Sequence, residues 1–142
     1  MYVVDASVAV KWIAPERMRD HATALLEDLG LLEAPDLILA EVANAVWVKR
    51  RRGEMTREEA DAGLEAVQNF IRVFHPSRRL SSRALEIAFD LDHPVYDCVY
   101  LACAEAEGGT LVTADTKLLR AVRGSEFAML VRSLAEIPGE GS

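Results

Sequence analysis

The sequence predicts an α/β protein, a three-layer α/β/α sandwich with a small parallel sheet, and three observations carry that prediction. Short apolar runs such as Met1-Tyr2-Val3-Val4 and Leu111-Val112-Thr113 alternate with longer segments of helical periodicity. Those runs are apolar at consecutive positions, as expected of strands covered by helices on both faces. At 142 residues the chain is one domain, large enough to bury about two thirds of its unfolded surface without disulfides or a structural metal.

The elements follow from local signals. Tyr2 to Val4 reads as a buried strand, and Ala6 to Ile13 as a helix stopped by Ala14-Pro15. A second helix is expected from Glu16 to Leu29, ending at Gly30, and a strand from Leu31 to Ala34, closed by Pro35. Asp36 reads as the N-cap of a helix from Leu37 to Arg52, with Gly53 after its basic last turn. Apolar on nearly every face until Lys49, that helix is expected to be buried. Thr56-Arg57-Glu58-Glu59 is a capping box opening a helix to about Phe70. Val73 to Pro76 leaves room for a short strand, and Ser81 or Ser82 starts a helix ending near Leu91. After Asp92-His93-Pro94, a helix from Tyr96 to Glu107 is stopped by Gly108-Gly109. Leu111 to Thr113 is a strand, Thr116 to Val122 a helix, and Phe127 to Val131 a last strand. Residues 1–136 form the expected domain, and Ile137 to Ser142, rich in Gly and Pro, a loose tail.

Bulk properties exclude several classes. Cys98 and Cys103 lie in one helical segment with about 7.5 Å of rise between them, which argues against a disulfide. No run approaches the roughly 18 apolar residues of a membrane span, and the first ten residues lack a signal peptide's basic flank, so a cytoplasmic protein is expected. The formal net charge of −7 argues against a passive polyanion-binding surface. Basic residues nevertheless cluster at Lys49-Arg50-Arg51-Arg52, at Arg78, Arg79 and Arg83, and at Lys117, Arg120 and Arg123. A solvated helix end favoured by the dipole and a phosphate-binding patch fit the first run equally well.

Four carboxylates interrupt apolar sequence: Asp5, Glu41, Asp97 and Asp115. Burying one unpaired carboxylate costs several kcal/mol, comparable with the net stability of a domain, so a cationic counterpart is implied. Asp5 and Asp115 lie just past predicted strands, Asp97 in the first turn of a helix and Glu41 one turn into another. All four can converge at the carboxyl end of a parallel sheet. Oxygen ligands suit Mg²⁺ or Mn²⁺, whereas zinc calls for closely spaced His and Cys, which His21, His75 and His93 do not offer; those histidines read as structural or exposed. Taken singly, each acid has an innocent reading: Asp5 and Asp115 as N-caps, Asp97 as a dipole partner, Glu41 as an ion-pair member. Ser7, Asn44 and Thr113 add polar groups beside three of them, placed to orient ligands.

The segments Val3-Val4-Asp5-Ala6-Ser7-Val8-Ala9-Val10-Lys11-Trp12, Ala34-Pro35-Asp36-Leu37 leading to Glu41-Val42-Ala43-Asn44, Tyr96-Asp97-Cys98-Val99-Tyr100-Leu101-Ala102 and Leu111-Val112-Thr113-Ala114-Asp115 resemble the PIN-domain nucleases, most closely the VapC-like toxins of toxin–antitoxin pairs. The likeness in order and spacing covers about residues 1 to 135. It implies metal-binding catalytic roles for Asp5, Glu41, Asp97 and Asp115, with Ser7, Asn44 and Thr113 as supports. It further implies Mg²⁺- or Mn²⁺-dependent hydrolysis of RNA, a homodimer, and a small antitoxin that inserts a basic residue into the cleft. An acidic cleft repels RNA until cations fill it, so binding is expected to need metal and low salt together. Three rivals remain at this level: an aspartyl phosphotransferase using Asp5, although Ser7 stands where such enzymes place a second Asp; a non-catalytic acidic groove for a basic peptide; and an RNA-processing or repair nuclease without an antitoxin.

Overall fold

The computed structural model describes residues 1–27 and 31–139. Five short strands, β1 (Tyr2–Val4), β2 (Leu32–Pro35), β3 (Val73–His75), β4 (Thr110–Thr113) and β5 (Val131–Ser133), form one sheet in the order β3-β2-β1-β4-β5. Every pairing is parallel. Among the described residues, seven α-helices connect them: α1 (Ala6–Ile13), α2 (Arg19–Glu27), α3 (Leu37–Arg51), α4 (Arg57–Phe70), α5 (Ser77–Leu91), α6 (Val95–Glu107) and α7 (Thr116–Val122).

The strand order dictates the layers. From β1 the chain steps to β2 and β3 in one direction, then jumps back across the sheet to β4 and on to β5. Right-handed crossovers place α1 to α4 on one face and α5 to α7 on the other. The direction reverses between β1 and β4, which lie side by side with Val4 opposite Val112, and this junction is where such sheets form their cleft.

The core is densest around β1, β4 and α6. Val3, Val4, Leu111 and Val112 are fully buried, as are Cys98, Leu101, Cys103 and Ala104 on α6. Both cysteines are free, as their spacing implied. On the opposite face, Trp12 of α1 donates its indole N–H to the Ala22 carbonyl at 2.8 Å and meets the Phe70 ring edge-on at 5.7 Å.

Several expectations change. The helix predicted to be buried all round, α3, buries one stripe, Ile38, Val42 and Val46, and leaves Trp47 exposed. Asp36 does not cap it: its backbone is already helical, and its carboxylate accepts from the Ser77 amide (3.1 Å) and hydroxyl (2.5 Å). Helix α5 therefore begins at Ser77, a turn before the Ser81 signal. The second helix starts at Arg19, not Glu16, and its expected end over residues 28–30 lies outside the described residues. Residues 128–130 form a 3₁₀ turn that delays the last strand to Val131–Ser133. In the expected tail, Ile137 is buried and its carbonyl lies against His21 Nδ1, while residues 140–142 lie outside the described residues. No helix among the described residues is long and apolar enough to cross a membrane.

Candidate active site

Each of the two strands at the reversal ends in an acid that caps the next helix. The Asp5 carboxylate accepts from the Val8 amide at 3.3 Å and caps α1; the Asp115 carboxylate accepts from the amides of Lys117 (2.9 Å) and Leu118 (3.3 Å) and caps α7. The innocent reading of both as N-caps is thus partly right. It does not explain the burial of Asp5, which is 5% exposed.

Asp5 sits in a hydroxyl cradle. Ser7 donates to its Oδ1 at 2.5 Å and the Thr113 hydroxyl donates to Oδ2. Ser7 Oγ in turn accepts from the Ala114 amide at 3.0 Å, and Thr113 Oγ1 from the Asp115 amide at 3.0 Å. One small network therefore ties both strand ends together. Burial pushes the Asp5 carboxyl up to about 6; the bonds from Ser7, Thr113 and Val8 oppose that rise, and the charge on Asp97 adds to it. Among the described residues, no cationic side chain contributes to holding Asp5 ionised.

Glu41 and Asp97 face this network from α3 and α6. Both are only partly buried, as is Asp115, so Asp5 is the one acid of the four that fulfils the expectation of full burial. Burial raises the Glu41 carboxyl, the Tyr100 hydroxyl donating to Oε1 opposes that, and the charges of Asp97 and Asp115 reinforce it. Tyr100 is itself buried, and burial together with the neighbouring Glu41 pushes its phenol far up, which keeps it a donor. Asp97 Oδ2 lies 2.6 Å from His93 Nε2. The left-handed residue Asp92 (φ 51°) ends α5 and turns His93 back onto the first turn of α6.

The four predicted acids thus lie at one rim, where the charge of Asp97 acts on Asp5 and those of Asp97 and Asp115 act on Glu41, and Ser7 and Thr113 hydrogen-bond to Asp5. Asn44 does not support Glu41: it is exposed and, among the described residues, makes no hydrogen bond to the acids. Two residues were missed. Tyr100 lies three positions after Asp97 on α6, where helical spacing marks it as a neighbour, whereas His93 precedes the helix and reaches Asp97 through the turn at Asp92. His93 is neither isolated nor remote.

Hard carboxylate oxygens, one of them buried with no cation beside it among the described residues, fit a hard divalent ion, whereas the one imidazole at the rim, His93, is engaged by Asp97 and leaves zinc no set of nitrogen or sulfur ligands. No three of the four acids have oxygens all within 4.8 Å of one another, a spacing that mutual repulsion favours. The described residues that do meet that spacing are Glu33, His75 and Glu107. Glu107 ends α6, about 15 Å of helix rise from Asp97. There His75 Nε2 lies 2.6 Å from Glu33 and Nδ1 3.3 Å from Glu107, while Arg79 pairs with Glu107 at 2.5 Å. Among the described residues no buried side-chain polar atom lacks a partner, and the Arg79 guanidinium already engages Glu107, so this cluster joins β2, β3 and α6 as a polar network.

The basic groups divide likewise. Arg83 is neutralised by Glu105 (2.7 Å) and Glu86 (2.9 Å), and Arg51 lies over the Trp47 ring at 5.5 Å. Lys49 pairs with Glu16 at 2.8 Å.

Comparison with known proteins agrees with this fold. The PIN domain family model matches residues 2–124. Ribonuclease VapC3 of Pyrobaculum aerophilum is 34% identical over 118 residues, covering 82% of this chain and 90% of that protein. Among solved structures, PAE2754 from Pyrobaculum aerophilum aligns with a TM-score of 0.68 at 25% identity, over 94% of this chain and 83% of that one. A toxin–antitoxin complex from Klebsiella pneumoniae shares the fold with a TM-score of 0.68 at 16% identity, over 94% of this chain and 98% of that one.

Proposed function

Because this chain belongs to the PIN-domain family, we propose that it is a metal-dependent endoribonuclease, with Asp5, Glu41, Asp97 and Asp115 as its metal-binding catalytic residues, and the toxin of a toxin–antitoxin pair. The observation that carries this reading is Asp5: a buried carboxylate at the reversal point of the sheet, raised by burial and by Asp97, with no cation beside it among the described residues. The likeness to Ribonuclease VapC3 supports RNA as the substrate, and an RNA substrate supports a cytoplasmic location.

Bound at this rim, Mg²⁺ or Mn²⁺ supplies Lewis-acid activation of water and neutralises the charge that develops on the phosphate. The chain's own residues do the positioning. Ser7 and Thr113 fix both Asp5 oxygens, Tyr100 orients Glu41, and His93 holds Asp97. The same acids make a socket for an Arg or Lys, and a small antitoxin places such a residue among Asp5, Asp97 and Asp115. Exposed Phe89 and Tyr96, on the consecutive helices α5 and α6, supply apolar surface for a homodimer.

The test is to incubate the protein with total cellular RNA, in Mg²⁺ or in EDTA, and to map new 5′ ends. Discrete ends made only in Mg²⁺, and absent with Asp97→Asn, support the proposal. Ends that persist in EDTA, or that Asp97→Asn makes as well as the parent, overturn it.

A further inference from the structure

A groove of about 410 Å³ leads away from the acid rim between α1 and α3, with Ser7 and Ala114 at the rim end and Lys11, Glu16, Lys49 and Arg52 further out. Its walls are single helical stripes. On α3, Glu41, Ala45, Lys49 and Arg52 recur at intervals of three or four, so the face that carries the acid at one end carries cations at the other. On α1, Ser7 and Lys11 stand one turn apart. About 12 Å of rise separates Glu41 from Lys49, room for more than one nucleotide.

Two ammonium groups from different helices converge here on one carboxylate. Lys49 Nζ lies 2.8 Å from one Glu16 oxygen and Lys11 Nζ 3.3 Å from the other. Lys11 is only 9% exposed, so its stem is packed and its charge is held in place. Burial pushes the Glu16 carboxyl up, but the hydrogen bonds and charges of Lys49 and Lys11 outweigh it and hold the group below the usual range. Three cations against one carboxylate leave the groove positive on a chain of net charge −7.

We propose that this groove binds the RNA backbone beside the scissile bond, Lys11 and Lys49 gripping a phosphate that displaces Glu16 from between them and Arg52 meeting the next. The inference rests on the ribonuclease reading above. Two lysines already spaced to clasp the paired oxygens of a carboxylate are spaced to clasp those of a phosphate. Continuity with Ser7 and Ala114 puts another phosphate of the same strand, more than one nucleotide away, at Asp5 and Asp115. Glu16 is then a built-in competitor that keeps the lysines paired when RNA is absent and weakens non-specific binding of other anions.

The test is fluorescence anisotropy of a labelled 12-nucleotide single-stranded RNA, with Ca²⁺ in place of Mg²⁺ to fill the acid rim and at graded salt, with melting curves to verify folding. Glu16→Gln is expected to tighten binding by roughly fivefold, and Lys49→Ala to weaken it and to lower the slope of log affinity against log salt by about 0.7. Arg52→Ala, exposed at the end of α3, is expected to act in the same direction as Lys49→Ala, which keeps the test valid if Lys11→Gln does not fold. Unchanged or weaker binding by Glu16→Gln, or an unchanged slope in the cation variants, overturns the proposal. So does a Glu16→Gln variant that gains as much affinity for a 12-residue oligoglutamate, since the groove is then an acidic-peptide site. Cleavage assayed in parallel separates the two readings. RNA binding that follows the predicted pattern without Mg²⁺-dependent cleavage keeps the groove and removes the nuclease, whereas cleavage with binding indifferent to these variants does the reverse.

Discussion

Asp5 holds two roles that oppose each other: as a cap it accepts hydrogen bonds that favour its charge, and as a buried group it is penalised for carrying one. Burial wins, and the carboxyl rises from 3.8 to about 6. A carboxyl raised in the native state binds more protons there than in the unfolded chain, so without metal its contribution to stability falls as pH climbs from about 4 to about 6 and stays low above. That loss is on the order of 3 kcal/mol at most. Glu41, also raised, acts in the same direction. Urea unfolding in EDTA at pH 4.5 and 7.5 should show the loss in the parent protein and a smaller one in Asp5→Asn; equal losses would mean that Asp5 is not the group responsible. Tyr100→Phe removes the donor to Glu41 and is expected to cost about 1–2 kcal/mol of stability and to lower Mg²⁺-dependent cleavage by about tenfold, read by melting and initial rates. Ser7 and Thr113 could be found in the sequence because they flank Asp5 and Asp115 locally. Tyr100 could not be matched to Glu41, because the two are 59 positions apart and a Tyr in an apolar helix reads as core. Asn44 misled through helical spacing alone: it shares a side of α3 with Glu41 but is turned to solvent.

Caps and burial stripes decide the helices, and there the sequence was read unevenly. The capping box at Thr56 is self-contained, with Thr56 Oγ1 accepting from the Glu59 amide at 3.1 Å and Glu59 returning the bond, and α4 begins where it was expected. Asp36 is different. Its partner Ser77 lies 41 residues away, so a residue that reads as the cap of its own helix in fact closes the start of another. Asp36→Ala should therefore destabilise the protein by about 1 kcal/mol and speed amide exchange at the start of α5 rather than of α3. Faster exchange at the start of α3 would restore the local reading. The burial of α3 was overestimated for a related reason. Apolar content shows how much surface a helix can bury but not how many neighbours it has, and α3 meets β2, α1 and α4 along one stripe, whereas α6 lies across the sheet centre under α5.

At the scale of the whole molecule, the parallel sheet and its two helical layers followed from alternating apolar runs, and the reversal between β1 and β4 explains why acids distant in sequence share a rim. Chain order alone could not show that reversal, since it depends on the return from β3 across the sheet to β4. The molecule is arranged as a gradient, acidic at the strand ends and basic along α1 and α3, within a net charge of −7. Added Mg²⁺ should raise the melting temperature of the parent more than that of Asp97→Asn, because only an ion bound to the native state stabilises it. The same gradient makes the location of the ion decisive, since Glu33, His75 and Glu107 form a second carboxylate cluster away from the rim. Titration of Mn²⁺ followed by the electron paramagnetic resonance of the free ion distinguishes them: the parent protein and Glu33→Gln should remove Mn²⁺ from solution alike and Asp97→Asn much less, whereas undiminished binding by Asp97→Asn, or its loss in Glu33→Gln, would contradict a metal centre at the rim of Asp5, Glu41, Asp97 and Asp115.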